Sequence, residues 1–476
     1  MKNTSQEALF TMEKNLTTGS VFKTILYFAL PYLFSYFLQT LYGMADLFII
    51  GQFNGTESTT AVANGSQVMH MLTVMIVGLA MGSTVMIGRA VGARHKDEIA
   101  KTVGNSVTLF MGLSIILTIV LLLLVRPIVL LIQTPAEAIA GSIRYLTICF
   151  IGIPFITAYN IIASIFRGMG DSKSPMYFIA IACAANIALD YVFMGVLHMG
   201  AAGAALGTTL AQTLSVIISL LMTKKKKLGI KLCKQDFIPS RAVLGEILKI
   251  GIPVAIQDGC IQIAFIIITV IANSRGLNDA AAVGIVEKVI SALFIVPSSM
   301  LATVSALAAQ NIGAGKHDRA SKTLKYAILI TFTYGIIVAI IGELITAGIV
   351  GIFTKDAAVV VLGSQYLRGY IVDCALAGIH FCFSGYFCAY GKSYIGFIHN
   401  MIAIICLRVP GSYLASKFFA DTLFPMACGS CRIHAFGYHL RGCICMDEET
   451  RVPWRQSDTR CILVHIQSCR DMLRFD

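Results

Sequence analysis

The stretch MYFIAIACAANIALDYVFMGVL, residues 176–197, is an apolar run that contains one amide, Asn186, and one carboxylate, Asp190. The two lie one helical turn apart, so both project from the same face of a helix. An ionisable side chain at membrane depth costs roughly 3 kcal/mol or more, so it normally faces a cavity or a partner. The run therefore predicts a membrane-spanning helix with a buried polar pair, whose partners must come from other helices.

The composition predicts that most of the chain lies in a membrane. Of its 476 residues, 57% are hydrophobic and 13% are charged, and the mean hydropathy is +0.78. An average soluble domain is about 25% charged. Apolar runs long enough to cross a bilayer recur along most of the length. We expect an all-α, polytopic membrane protein without a cleaved signal peptide, because the N-terminal residues are polar.

Eleven spans are predicted from the apolar runs. They cover about residues 22–50, 60–87, 102–125, 136–166, 174–196, 200–222, 241–272, 281–308, 320–352, 356–387 and 393–417.

Lysine and arginine residues are distributed unequally between the two sides of these spans. The loops on the N-terminal side carry 22 of them, whereas the opposite loops carry four: Arg126, Arg275, Lys355 and Lys417. Because positive charge accumulates in cytoplasmic loops, the N-terminus is predicted to be cytoplasmic. The net charge of +12 thus indicates topology and not a nucleic-acid partner. The lysine run 224–227 is interpreted as a topology anchor, with a lipid-binding polybasic site as the alternative.

The two halves of the chain are related in sequence. The loop GARHKD at residues 92–97 returns as GAGKHD at 313–318, and Pro31 returns as Pro253. The pairs Tyr145 and Tyr366, Leu146 and Leu367, and Gly170 and Gly391 have the same spacing as the loop. Both loop copies are cytoplasmic by charge, so the halves are parallel repeats. Two packed six-helix repeats would enclose a central cavity, as in an alternating-access transporter.

These repeats predict four segments. Residues 1–222 form an N-terminal lobe of spans one to six, 223–240 a basic cytoplasmic linker, and 241–426 a C-terminal lobe of spans seven to eleven. A twelfth span should begin near Leu423. It is missing from the sequence, because residues 427–476 form an aberrant polar tail with no Lys, seven Arg and six of the 14 Cys.

Two interpretations of this tail are open. Cys428-x-x-Cys431 and Cys443-x-Cys445, with His434 nearby, have the residue types of a zinc module. The alternative is an out-of-frame translation of the final span, because residue usage and hydropathy change together at one point. A frameshifted chain would be an inactive, truncated transporter.

A set of ordered motifs runs through the two halves. They are the segment from Pro31 through Asp46 to Gly51, GRAVGA at 88–93, RGMGDSK at 167–173, Asn186 to Asp190, GAAGAA at 200–205 and AQNIGAG at 309–315. From about residue 18 to 426, the chain therefore resembles the multidrug and toxic compound extrusion (MATE) family. The resemblance implies two lobes of six helices that export organic cations and drugs in exchange for inward H+ or Na+. It also implies an ion site in the N-terminal lobe.

Four polar residues fall at a similar depth in the predicted spans. At a rise of 1.5 Å per residue, Asp46, Asp190 and Thr208 lie roughly 8–12 Å below the outer surface, and Asn186 lies one turn deeper. The family resemblance implies that these four bind a cation. Carboxylates held close together in a low-dielectric pocket favour proton exchange, and the same oxygens are hard ligands for Na+. The alternative is structural: Asp46 would cap or snorkel near a helix end, and Asp190 would bond to a neighbouring hydroxyl.

Other polar residues inside the spans are candidates for a substrate cavity. Helix–helix hydrogen bonding explains them equally well, and an ion pair with a neighbouring helix is a further explanation for the acid among them. They are Gln39, Tyr42, Gln212, Gln257, Gln262 and Glu287.

We therefore expect a secondary-active antiporter in a bacterial cell membrane, which exports lipophilic organic cations or drugs as H+ or Na+ enters. No bond is made or broken, so the protein is not expected to be an enzyme. No cofactor or metal is expected beyond the coupling ion, the partners are small-molecule drugs and membrane lipid, and the protein is expected to be a monomer. A lipid-linked saccharide flippase of the same superfamily is the nearer alternative. A receptor or channel would need neither two six-span repeats nor acids at matched depth.

Overall fold

The computed structural model describes residues 16–226, 232–419 and 422–427, and in these ranges every regular element is helical. Nine of the described helices are long and apolar enough to cross a membrane, and two bent helix pairs bring the total to eleven candidate spans. The predicted all-α, polytopic membrane fold is confirmed. Each candidate span overlaps one of the predicted apolar runs. A helix suits such a run because it satisfies its own backbone hydrogen bonds, as a chain in lipid must.

The helices are numbered in chain order. They are α1 (Val21–Phe53), α2 (Thr56–Ala93), α3 (Lys96–Leu131), α4 (Ile139–Ile151), α5 (Ile153–Gly168), α6 (Lys173–Asp190), α7 (Gly200–Lys226), α8 (Arg241–Arg275), α9 (Leu277–Leu293), α10 (Ile295–Gly313), α11 (His317–Gly351), α12 (Ala357–Ile371), α13 (Asp373–Ala389), α14 (Ser393–Ile402) and α15 (Val409–Phe418). Short 3₁₀ turns lie at Ala136–Ala138 and Lys234–Phe237, and π segments follow α6 at Tyr191–Val196 and α14 at Ala403–Arg408.

Two of the spans are bent. The fourth changes direction by 47° between α4 and α5, and the tenth by 40° between α12 and α13. At the first bend, Gly152 is followed by Pro154 in the first turn of α5, where the missing proline N–H leaves no bond unmade. By contrast, α1 and α8 continue as helices through Pro31 and Pro253.

The described chain forms two compact units. The first comprises residues 1–263, 291–333 and 381–398, and the second comprises 264–290, 334–380 and 399–476. These boundaries cut through several helices, and the division at residues 222 and 241 stays a prediction of the sequence. In the first unit α2 packs against α5 and α10, while α6 packs against both α1 and α7. The meeting of α1, α6 and α7 is the feature that positions the candidate site.

The repeated glycines have the same backbone role in both halves. Gly170 and Gly391 follow α5 and α13, with φ of 91° and 69°. This left-handed conformation costs an L-residue energy that glycine avoids. Gly170 and Gly391, which the repeat in the sequence pairs with each other, therefore end their helices with the same kind of left-handed turn.

The end of the described chain carries the start of a further helix. Residues 424–427 are helical, and Leu423 and Met426 are buried. The Ser412 hydroxyl donates a hydrogen bond to the Met426 carbonyl at 3.2 Å. The predicted start of a twelfth helix near Leu423 thus agrees with the local conformation. The tail from 428 to 476, including the cysteine pairs and the proposed frameshift, lies outside the described residues.

Candidate functional site

The structure brings together the four residues that were predicted to bind a cation. Asp46 comes from the C-terminal part of α1, Asn186 and Asp190 from the last turns of α6, and Thr208 from α7. All four belong to the first compact unit. The Thr208 hydroxyl donates a hydrogen bond to Asp46 Oδ2 at 3.3 Å, and the Asp46 carboxyl also interacts with the Asp190 and Asn186 side chains. Three separate helices therefore converge on one carboxylate pair.

The polar side chains of this cluster are buried, unlike most charged residues of a protein. Asp46 is 4% exposed, Asn186 is 2% exposed and Asp190 is fully buried. Among the described residues, no lysine or arginine contributes to the interactions of either aspartate. Two carboxylates that share a site without a fixed cation repel each other when both are ionised. The cluster therefore needs a proton or a cation from solution to neutralise it.

Several polar atoms in the cluster have unused bonding capacity. Asp46 Oδ1, both carboxylate oxygens of Asp190, and the oxygen and nitrogen of the Asn186 amide make no hydrogen bond of standard geometry to a described residue. Buried polar atoms are normally bonded, so a group of orphans at one place calls for an explanation. Four of the five atoms are oxygens, the donor type that hard cations prefer. A bound proton or cation would be accepted by these oxygens.

Gly207 lets α7 approach the carboxylate of Asp190. A Cβ atom placed on Gly207 would overlap with Asp190 Oδ1. Only a residue without a side chain leaves room for that oxygen at this position. Gly207 is not among the site residues predicted from the sequence. Its place directly before Thr208 is the one feature of the sequence that points to it.

The π segment Tyr191–Val196 begins directly after Asp190. Its wider turn is visible in the hydrogen bond from the Leu197 N–H to the Val192 carbonyl, at 2.9 Å, which spans five residues. Such segments are frequent at functional sites because they change the direction of side chains within a continuous helix. Here the wider turn comes directly after Asp190, the residue that faces α1 and α7. Met194 within the segment is fully buried.

Two predicted cavity residues lie beside the cluster. Tyr42 interacts with Asp46, one helical turn away on α1, and with Gln212 on α7. Gln212 is buried, and its Oε1 has no hydrogen-bond partner in the described part of the chain. Two further neighbours, Tyr145 and Cys149 on α4, are buried and interact with Asp46. Tyr145 and Cys149 are not among the site residues predicted from the sequence, because tyrosine and cysteine are also ordinary residues of a membrane core.

The remaining candidates lie elsewhere. Gln39 lines a cavity of about 20 Å³ with Tyr36 and Arg167, and none of the four cluster residues lines that cavity. Gln257 is buried beside Gly396 and Ser384. Gln262 is half-buried.

Glu287 belongs to the second compact unit, where it accepts a hydrogen bond from the Thr269 hydroxyl at 3.3 Å. The six cavity candidates therefore do not form one group, and only Tyr42 and Gln212 are placed against the aspartate pair.

Comparison with known proteins supports the same fold and a transport role. The family model described as MatE matches two stretches of equal length, residues 31–192 and 253–414. The chain is 26% identical over 422 residues to the probable multidrug resistance protein YoeA of Bacillus subtilis, covering 87% of this chain and 91% of the relative. It is 24% identical over 391 residues to the multidrug export protein MepA of Staphylococcus haemolyticus, with 81% and 84% covered.

Solved structures share the arrangement of helices. A crystal structure of MATE in complex with MaL6 superposes with a TM-score of 0.85 at 23% identity, covering 93% of this chain and all of the other. A MOP superfamily transporter from Pyrococcus furiosus, described as having a binding pocket of reversed polarity, gives a TM-score of 0.86 at 23% identity, with 93% and 99% covered. At this level of identity the likeness concerns the fold.

Proposed function

Because this chain belongs to the MatE family, whose model matches both of its halves, we propose that it is a secondary-active multidrug exporter driven by inward H+ or Na+. The relatives named as multidrug resistance and export proteins support the efflux of drugs. The substrates in this proposal are lipophilic organic cations or drugs that leave the cytoplasm. The membrane is that of a bacterial cell.

The observation that carries the coupling part of the proposal is the aspartate pair. Asp46 and Asp190 are buried together, no lysine or arginine of the described ranges takes part in their interactions, and their oxygens have unused bonding capacity. A structural pair in a membrane core would be matched with a lysine or an arginine, because an unpaired buried charge is strongly unfavourable. An exchangeable ion supplies the missing charge without fixing it.

The geometry indicates how ion binding would be transmitted. Asp46 lies on α1 and Asp190 on α6, while Thr208 and Gly207 hold α7 against them. A proton or Na+ at the pair removes the repulsion between the carboxylates and draws α1 and α6 together. Release of the ion on the cytoplasmic side restores the repulsion. The ion thus biases the packing of α1 against α6, and a transporter needs such a two-state element for alternating access.

Transport by inside-out membrane vesicles tests this proposal. Drug movement would be driven by an imposed pH gradient or an imposed Na+ gradient, with Asp190→Asn and Asp46→Asn compared with the unmodified chain. We expect both variants to lose at least about ten-fold of the gradient-dependent rate, which corresponds to roughly 1.4 kcal/mol. The two gradients, applied separately, identify the ion.

Asp356→Asn is the matched control. The Asp356 side chain accepts hydrogen bonds from the N–H groups of Ala358 and Val359 at the start of α12, and asparagine caps a helix about as well as aspartate. This variant makes the same chemical change outside the cluster and should transport normally. Gradient-driven efflux that is unchanged in both Asp190→Asn and Asp46→Asn would disprove coupling at this site.

A further inference from the structure

The second compact unit contains a buried guanidinium within a membrane span. Arg408 is the last residue of the π segment Ala403–Arg408, inside the span Ser393–Phe418, and it is 8% exposed. Its Nη2 donates a hydrogen bond to the Tyr370 hydroxyl at 2.7 Å, and its Cζ lies 4.3 Å from the centroid of the Phe265 ring. An arginine at this depth needs a counter-charge, because a tyrosine hydroxyl and an aromatic face replace only part of its hydration.

Glu287 on α9 provides that counter-charge. Its carboxylate interacts with Arg408 and accepts the hydrogen bond from Thr269. The neighbouring Lys288 also interacts with Glu287 but is exposed. Arg408, which is buried, and Glu287, which is half-buried, therefore carry opposite charges that interact within one compact unit.

The burial pattern shows which residue of the first half corresponds to Arg408. The buried residues of the span Lys173–Val196 and those of the span Ser393–Phe418 have nearly the same spacing along the chain. Starting at Phe178 and at His399, the two series run in parallel: Phe178, Ile179, Ala182, Cys183, Asn186 and Asp190 in the first span, and His399, Asn400, Ala403, Ile404, Arg408 and Ser412 in the second. The second series is one residue longer between its fourth and fifth members, where the π segment inserts an extra residue. Arg408 thus takes the place of Asn186, and Ser412 that of Asp190.

Other members of the first site are also replaced in the second half. The buried Tyr145, Leu146 and Cys149 of α4 correspond to the buried Tyr366, Leu367 and Tyr370 of α12. Similarly, the buried Asp46, Ile49 and Ile50 of α1 correspond to the buried Ile268, Ile271 and Ala272 of α8. In the second half neither corresponding position holds an aspartate, and an arginine, which is a permanent cation, stands at the position of the amide.

We propose that Arg408 is a tethered cation, which occupies in the second half of the chain the place that the first half keeps for an exchangeable ion. Glu287 balances its charge, so the second half binds neither H+ nor Na+ in the transport cycle. The charge balance between Arg408 and Glu287 does not depend on the proposed function; the comparison with an exchangeable ion rests on it. A consequence is a latent site: without the guanidinium, Glu287 must take up a proton or a cation.

The pairing is tested by a double-mutant cycle on the purified full chain, with the melting temperature as the readout. Arg408→Met and Glu287→Gln should each lower it by roughly 5 °C or more, because either change leaves one charge inside the spans without the opposite charge that balances it. The double variant should recover at least about half of the summed loss. The exposed pair Arg368 and Glu343, 3.1 Å apart in the same unit, is the control. Arg368→Met and Glu343→Gln should change the melting temperature little and additively.

The latent site is tested by binding of ²²Na+ and by proton uptake in an Asp190→Asn background, which removes the exchangeable site of the first half. Arg408→Met should gain one bound proton or Na+ per chain, and the additional Glu287→Gln change should abolish the gain. Arg408→Lys retains a charge and should gain nothing, which covers the case in which Arg408→Met does not fold. Additive melting temperatures, or no ion uptake by a folded Arg408→Met chain, would overturn the proposal. Neither result depends on whether Asp190 couples transport.

Discussion

At the scale of single residues, Gly207 is a position where a small substitution should weaken ion binding without changing either aspartate. Replacing Gly207 with alanine places a methyl group where Asp190 Oδ1 now lies. Such overpacking costs about 1–3 kcal/mol, so we expect the affinity for the coupling ion to fall roughly ten-fold or more. Ion-dependent drug efflux in vesicles, measured over a range of ion concentrations, reports the change as a shift of the half-maximal concentration.

Gly43→Ala is the control for this prediction. Gly43 lies on α1, one turn from Asp46, and a Cβ there would meet no atom within 4 Å. This variant should leave the ion dependence unchanged and the helix slightly stabilised, since alanine has the higher helix propensity. A Gly207→Ala transporter with the wild-type ion dependence would show that Asp190 has room to move and that the close approach of α7 does not matter.

The ion-site residues could be predicted from sequence because membrane depth constrains them strongly. Asp46, Asp190 and Thr208 were assigned a common depth from helical rise alone, and the structure places them together. Gly207, Tyr145 and Cys149 could not be assigned in this way, because small and aromatic residues are equally common in membrane cores. Gln257 and Glu287 resembled Gln212 in the sequence, yet only Gln212 faces the cluster. Which face of its helix a residue occupies depends on packing that hydropathy does not record.

At the scale of secondary-structure elements, the π segment after Asp190 makes a prediction of its own. Deleting the half-exposed Val192 would convert Tyr191–Val196 into regular α-helix and rotate Met194 relative to Asp190. Either the buried Met194 or Asp190 must then leave its packed position. We expect the ion-driven efflux rate to fall by about ten-fold or more.

The substitution Val192→Ala controls for loss of the side chain. It keeps the number of residues in the π segment and should transport normally. Both variants must reach the membrane in equal amounts, as measured by immunoblot of washed membranes. Normal coupled efflux by the deletion variant would mean that the wider turn has no role in positioning the carboxylate.

The helices themselves follow closely from hydrophobic length, but their interruptions do not. All eleven predicted spans correspond to described helices or bent pairs. The helices run several residues beyond the apolar runs, because polar residues at the membrane surface extend them. A proline lies beside the break at Gly152 and beside the π segment Ala403–Arg408, at Pro154 and Pro410, whereas the break before Asp373 and the π segment after Asp190 have no adjacent proline. An extra residue in a helix shows itself only when the buried positions before and after it are compared.

At the scale of the whole molecule, one family model fits both halves of the chain while the buried charges of the halves differ. The first half contains two aspartates that interact with no fixed cation, and the second contains Arg408 with Glu287. Backbone features such as the left-handed Gly170 and Gly391 are shared between the halves. The repeated backbone is maintained by packing, which tolerates few changes, whereas a buried polar position can change its charge if its partner changes too. Two similar halves can therefore serve different purposes.

The charge distribution also predicts how the whole chain is oriented in the membrane. The loop around Lys316 belongs to the lysine-rich set and should be cytoplasmic, whereas the turn at Gly276 and the loop at Lys355 should face outward. Each of the three residues is exposed, so a short epitope tag inserted after it should disturb the fold little. In spheroplasts, an antibody should label the tags at Gly276 and Lys355 directly and the tag at Lys316 only after permeabilisation. Only chains that still export drug are scored, because a functional transporter reports its native topology. Direct labelling at Lys316 would reverse the orientation and place Asp46 and Asp190 near the cytoplasmic surface, where inward ion flow could not load them first.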